Sequence, residues 1–166
     1  MYPMQRDPER VIQVGEIMDL PKNQIRLINN ETHVHVYCPD SLKQKLILQA
    51  KSNENHYRAY LREETPEKWH YNSHYRIGDI ILEADPGYSF MKNSMRQETY
   101  GSHGYDPSTT PEMGAIFYAM GPDIKKGIRI PSFQNIHVYP LIAHLLGLPI
   151  GNIDGSPEVL KVILAE

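Results

Sequence analysis

The sequence predicts an α/β layered fold. Short apolar runs of strand length alternate with segments whose apolar residues recur at helical spacing. Several of the runs lack polar alternation, as strands covered on both faces do. Thirteen prolines and eleven glycines mark frequent reversals between short elements. Val11-Ile12-Gln13-Val14 and Gln24-Ile25-Arg26-Leu27-Ile28 read as short strands. Thr32-His33-Val34-His35-Val36-Tyr37 alternates in strand fashion and ends at Pro39. Ser41 is an expected N-cap for a helix through Ala50, with Leu42, Leu46 and Ala50 in line. A second helix is expected from Asn55 to Glu64, turning Tyr57, Tyr60 and Leu61 inward and ending before Pro66. Ile77 to Ala84 reads as a buried strand closed by a turn at Asp85-Pro86-Gly87. Ala115 to Met120 reads as another interior strand, stopped by Gly121-Pro122. A last helix is expected from Val138 to Leu146, with Pro140 in its first turn. Leu141, Ile142, Leu145 and Leu146 form its apolar face, and Gly147 is its stop. No internal repeat or low-complexity linker interrupts the chain, so a single unit is expected over residues 1–166.

The totals fix the class and leave the chemistry open. A chain of 166 residues can bury one sizeable core. A net charge of −3 gives no electrostatic case for a nucleic-acid polymer or an anionic membrane as partner. No apolar run approaches the roughly 20 residues that span a bilayer, and none resembles a signal-peptide core. The single cysteine, Cys38, excludes an internal disulfide framework. It stands before a proline with no basic neighbours to lower its pKa. Neither a Gly-x-Ser-x-Gly elbow nor a phosphate-binding glycine loop occurs.

One stretch stands apart: Tyr100-Gly101-Ser102-His103-Gly104-Tyr105-Asp106-Pro107. Glycines near a histidine allow positive φ and bring the imidazole close to what it faces. Neutral imidazole is a good zinc ligand, so His103 is the candidate metal ligand. The other histidines favour structure. His33 and His35 share a strand face that reads as exposed and polar. His70 and His74 sit four apart, but Asn72-Ser73 and Pro66 argue for a turn rather than a helical metal site. His137 opens the last helix and His144 lies at its edge. Glu63, Glu64 and Glu67 read as a solvated acidic cluster.

Gly101-Ser102-His103-Gly104-Tyr105-Asp106 resembles the Gly-x-His-Gly-Tyr-Asp motif of the nucleotide pyrophosphatase/phosphodiesterase family, within the alkaline phosphatase superfamily. Other segments agree in the same order. His56 to Leu61 and Pro66-Glu67-Lys68-Trp69-His70-Tyr71 resemble the stretch leading to the family's Pro-x-x-x-His-Tyr. Arg76-Ile77-Gly78-Asp79-Ile80 resembles its Arg-Ile-x-Asp strand, and Phe117 to Pro122 its strand ending in Gly-Pro. Asn135 to Leu141, with Leu146-Gly147-Leu148, resembles its closing helix, and Asp154-Gly155-Ser156 its tail. The likeness runs over almost the whole chain.

The resemblance implies the C-terminal part of an alkaline-phosphatase-like layered domain, with a mixed sheet flanked by helices. It implies two zinc ions, a threonine nucleophile and a substrate that is a nucleotide or other phosphodiester. In such a site paired metals neutralise charge on the attacking and leaving oxygens, and the nucleophile forms a covalent intermediate. Only His103 carries over as a metal ligand; no catalytic or substrate-binding residue does. Tyr105 and Asp106 match the motif and are expected to shape the loop, with Asp106 a partner for the ring of His103 only if the loop folds back. The family's Ser-Asp-His-Gly-Met segment does not occur, and the chain opens about where that family's sequence continues after it. The expectation is a segment that is inactive alone. A non-catalytic binding module on the same half-fold and a segment of a phosphomonoesterase of the superfamily stay open. Strands interior to a larger sheet would become edges, so homo-oligomerisation through an exposed sheet edge is expected. A periplasmic or extracellular home follows from the resemblance only.

Overall fold

The computed structural model of the chain describes residues 2–3, 8–90 and 101–165. Its packing divides into two compact units, Met1–Ala115 and Ile116–Glu166, where a single unit was expected from sequence. Each has its own apolar cluster.

The first unit is built on a four-stranded antiparallel sheet in the order β3 (Arg26–Asn29), β4 (His33–Tyr37), β6 (Ile80–Ala84), β5 (Tyr57–Leu61). Two two-stranded ladders accompany it. β1 (Tyr2–Pro3) pairs antiparallel with β8 (Gly101–Ser102), and β2 (Val11–Ile12) pairs parallel with β7 (Ser89–Phe90). A four-residue helix α1 (Val14–Ile17) follows β2, so the expected strand over 11–14 stops at Ile12.

Register explains the core. Val34 faces Leu82 and Val36 faces Ile80, and all four are fully buried. Tyr57, Ala59 and Ala84 extend this face, and helix α2 (Asp40–Ser52) contributes Leu46, Ile47 and Ala50 to the same cluster. The Tyr57 hydroxyl donates to the Ala50 carbonyl at 2.7 Å, and burial pushes its pKa up to about 12. Helix α2 begins one residue before the expected cap, with Pro39 at the N-cap and Asp40 in the first turn, where a carboxylate suits the helix dipole.

The expected helix over 55–64 is instead β5 followed by a short 3-10 turn, Arg62–Glu64. His56 has φ +59, which no helix continues through, and Tyr57 to Leu61 pair residue by residue with Ala84 to Ile80. In the strand Tyr57 and Ala59 point to the core while Arg58 points out.

The second unit holds helix α3 (Val138–Leu145). Its inward residues are Pro140, Leu141 and Ala143, whereas Ile142, Leu145 and Leu146 are exposed, contrary to the expected face. It ends at Gly147, with the Gly147 and Leu148 amides donating to His144 and Ala143 carbonyls. Ile124, Leu141, Leu160 and Ile163 form the centre of this unit, and an isolated bridge joins Ile124 to Leu164. The run 115–120 is not an interior strand. Ile116, Tyr118 and Met120 are 80%, 89% and 95% exposed. Phe117 alone turns inward, meeting Phe133 edge-on at 5.0 Å.

Candidate functional site

The candidate site is the loop that follows β8. Ser102 is buried in the ladder with Tyr2, His103 is exposed, and Tyr105 is buried again. Between them Gly104 takes φ +99, a conformation that favours glycine. A Cβ at this position would overlap Thr32 Oγ1 and stand 3.4 Å from His33 Nδ1, so the loop also needs glycine for its close approach to β4. Thr32 Oγ1 donates to the His103 carbonyl at 2.9 Å. The Tyr105 hydroxyl donates to the Tyr88 carbonyl at 2.8 Å, with its ring edge-on to Tyr2 at 5.4 Å. Tyr100 lies outside the described residues.

Asp106 ties the other end of the loop. Its carboxylate receives Trp69 Nε1 at 3.1 Å and the Ser108 amide at 2.8 Å, and pairs with Lys68 Nζ at 2.7 Å. Burial opposes ionisation there, yet the Lys68, Ser108 and Trp69 donors outweigh it and hold the pKa at about 2. Its role is the expected one of shaping the loop; among the described residues no hydrogen bond joins it to the His103 ring. Its backbone amide favours the charged form of Glu83 on β6, but less than burial opposes it. Burial and the Asp106 charge push the Glu83 carboxyl up to about 7.

Glu83 is opposite His33 in the ladder, so an acid and two imidazoles share the sheet face turned away from α2. This face is covered, not exposed as expected from sequence. His35 is buried at 5% exposure. Its Nδ1 accepts the Gly78 N–H at 3.1 Å, and Nε2 lies 3.4 Å from the Tyr71 hydroxyl, an arrangement that fits the neutral ring. Burial, then the neighbouring His33, lowers the His35 pKa; burial, then His103, lowers that of His33. The cover comes from residues 69–78. The sequence places a turn at Asn72-Ser73 and a strand from Ile77, whereas the strand begins at Ile80 and leaves Ile77 and Gly78 to the cover. His70 is the left-handed C-cap of the 3-10 turn Glu67–Trp69, so it and His74 form no helical pair.

The remaining sequence candidates are structural. His137 Nδ1 accepts the Ser156 amide at 3.0 Å, and His144 is exposed on α3. Cys38 is half-buried, and burial followed by the Asp79 charge raises its pKa, as expected for an unactivated thiol. Asp79 accepts the Cys38 amide and Arg62 Nη2, a junction that closes the β4–β6 end of the sheet. A shallow hollow of about 430 Å³ beside Arg26, Tyr37, Cys38 and Asp79 contains none of the His103 loop.

Sequence reading passed over Thr32, Glu83 and the Trp69–Asp106 bond. Glu83 alone left a signal, as the one acid inside the apolar run 80–84.

An exposed imidazole on a backbone anchored at both sides fits one zinc ligand. Among the described residues no group of three or more His, Cys, Asp or Glu side chains could hold a metal ion.

A family model described as type I phosphodiesterase / nucleotide pyrophosphatase matches residues 6–106, more than half of the sequence and all of the loop through Asp106. The chain belongs to that family. Bovine bis(5'-adenosyl)-triphosphatase ENPP4 is 36% identical over 135 residues, covering 81% of this chain and 29% of that protein. Human ectonucleotide pyrophosphatase/phosphodiesterase family member 5 is 31% identical over 149 residues, 89% of this chain and 30% of its own length. Among solved structures, human ENPP5 matches with a TM-score of 0.83 at 27% identity, over 98% of this chain and 42% of that one. Murine ENPP5, as an inactive variant in complex with AMP, matches at 0.82 over 97% and 42%. This phosphodiesterase-family chain therefore has the ENPP5 type of layered α/β fold and spans less than half of the relatives it matches.

Proposed function

We propose that this chain is a segment of a zinc-dependent hydrolase of phosphodiester or nucleotide pyrophosphate bonds, in which His103 supplies one metal ligand. The carrying observation is the His103 loop, whose imidazole is exposed while Thr32, Tyr105 and Asp106 hold its backbone. Zinc, when bound, neutralises charge developing on phosphoryl oxygens. This chain's own part is to present the imidazole at a fixed place, with Gly104, Lys68 and Trp69 shaping the loop. The substrate class is a nucleotide or nucleotide pyrophosphate, supported by the AMP complex of murine ENPP5 and the activity in the name of bovine ENPP4. In this reading the chain alone is inactive, because one ligand does not make a metal site. Self-association belongs to the same reading, through the edge strands β3 and β5 or the exposed run 116–120.

The test has two arms. The isolated chain, given bis(p-nitrophenyl) phosphate and zinc, is expected to show no turnover. Grafted in place of the matching segment of bovine ENPP4, it is expected to restore hydrolysis, with His103→Ala losing bound zinc and turnover together. Turnover by the isolated chain that disappears in His103→Ala overturns the inactivity. A graft that keeps its zinc and rate after His103→Ala overturns the ligand.

A further inference from the structure

Thr32 sits in the turn between β3 and β4, 71 residues before His103, and is fully buried. A buried hydroxyl is retained at a cost unless it has a partner; here it donates to the His103 carbonyl at 2.9 Å and lies a longer 3.4 Å from His33 Nδ1. The residue is immobilised on every side. Its N–H donates to the Asn30 carbonyl and its carbonyl accepts the Ala84 N–H, both at 2.8 Å. The preceding Glu31 has φ +69, with its N–H bonded to Asn29 Oδ1 at 2.8 Å. The hydroxyl thus projects from a rigid turn and grips the peptide that joins His103 to Gly104. Its oxygen also fills the space a Cβ at 104 would take.

We propose that Thr32 is the positioning residue of His103, fixing the direction of the imidazole by locking the 103–104 peptide against the sheet. Tyr105 and Asp106 fasten the chain after this peptide, whereas Thr32 alone grips the histidine's own carbonyl among the described residues. The hydroxyl matters and the bulk does not, so Thr32→Val, which keeps the shape, removes the grip, and Thr32→Ser keeps it. The proposal rests on the reading of His103 as a metal ligand, but its test needs no metal.

The experiment is heteronuclear NMR on the full chain and the two variants, following the His103 ring signals and amide exchange at 103–105. Thr32→Val is expected to shift the ring signals and to speed loop exchange at least about tenfold, with the Val34 and Leu82 amides unchanged. Thr32→Ser is expected to restore both. Wild-type ring signals and exchange in Thr32→Val overturn the proposal. So does a change spread equally over β4 and β6, loss of the fold, or a serine that fails to restore. Zinc retention by the His103→Ala graft would instead defeat the ligand reading, leaving the NMR result as it stands.

Discussion

The two faces of one sheet are held by different physics. On the α2 side fully buried Val34, Val36, Ile80 and Leu82 belong to one apolar cluster, and their contribution is removal of surface from water. On the other side buried His35 and Ile81 stand in register with half-buried His33 and Glu83, under residues 69–78 and the His103 loop. Burial there is tolerated because polar atoms find partners: Gly78 N–H for His35, and Lys68 and Trp69 for Asp106. One face depends on volume, and the other on direction. The loop that presents His103 is built on the directional face.

Removing volume should produce the largest loss. Leu82→Ala, at a fully buried position, is expected to cost about 2–5 kcal/mol in urea unfolding, with the transition still cooperative. A cost below that of any change on the polar face would break the contrast. Next comes the closest approach on the polar side. A Cβ at Gly78 would stand 2.9 Å from His35 Cβ and 3.0 Å from the Val36 amide, both too near to yield. Gly78→Ala should therefore cost about 1–3 kcal/mol and disturb the His35 ring signals before those of Leu46.

Acidity separates the faces without changing volume. The Glu83 carboxyl is raised to about 7, so the folded state prefers it protonated. Its stabilising contribution is full below the ordinary carboxyl range and is lost as pH rises through 7. Glu83→Gln should accordingly gain, on the order of 1–2 kcal/mol, relative to wild type between pH 4 and pH 8. His35 works in the opposite sense. Its lowered pKa makes folding weaken as pH falls below the imidazole range, and that limb should persist in the Glu83→Gln variant. Thermal unfolding at pH 4, 6 and 8 distinguishes the two; identical profiles for wild type and variant would remove Glu83 from the account. The smallest effect is expected in the second unit. Tyr118→Ser, at 89% exposure, should change stability by less than about 0.5 kcal/mol while reducing self-association in light scattering. A wild-type chain that stays monomeric at high concentration would count against self-association.

The apolar face was legible in the sequence because period and register coincide there. Val34 and Val36 alternate, Leu46 and Ala50 fall at helical spacing, and the Asp85-Pro86-Gly87 turn announces itself, with the Tyr88 amide closing on Asp85. β5 was misread because Tyr57, Tyr60 and Leu61 satisfy a helical template as well as Tyr57, Ala59 and Leu61 satisfy a strand, and five residues cannot separate the two. The choice was made by long-range pairing with β6. His103 was legible because glycine chemistry is local. Thr32 and Trp69 were not, since each serves the loop from far along the chain through a single directed bond.

Trp69 is the only tryptophan in the chain, and its indole N–H is bonded to the aspartate that closes the His103 loop. Its ring stands edge-on to Tyr60 at 5.4 Å. Nature has therefore placed a single fluorophore at the base of the candidate site. Its emission wavelength responds to the surroundings of that indole, with no label attached and no competing indole to subtract. Loosening of the loop by mutation becomes an optical event that a cuvette can follow.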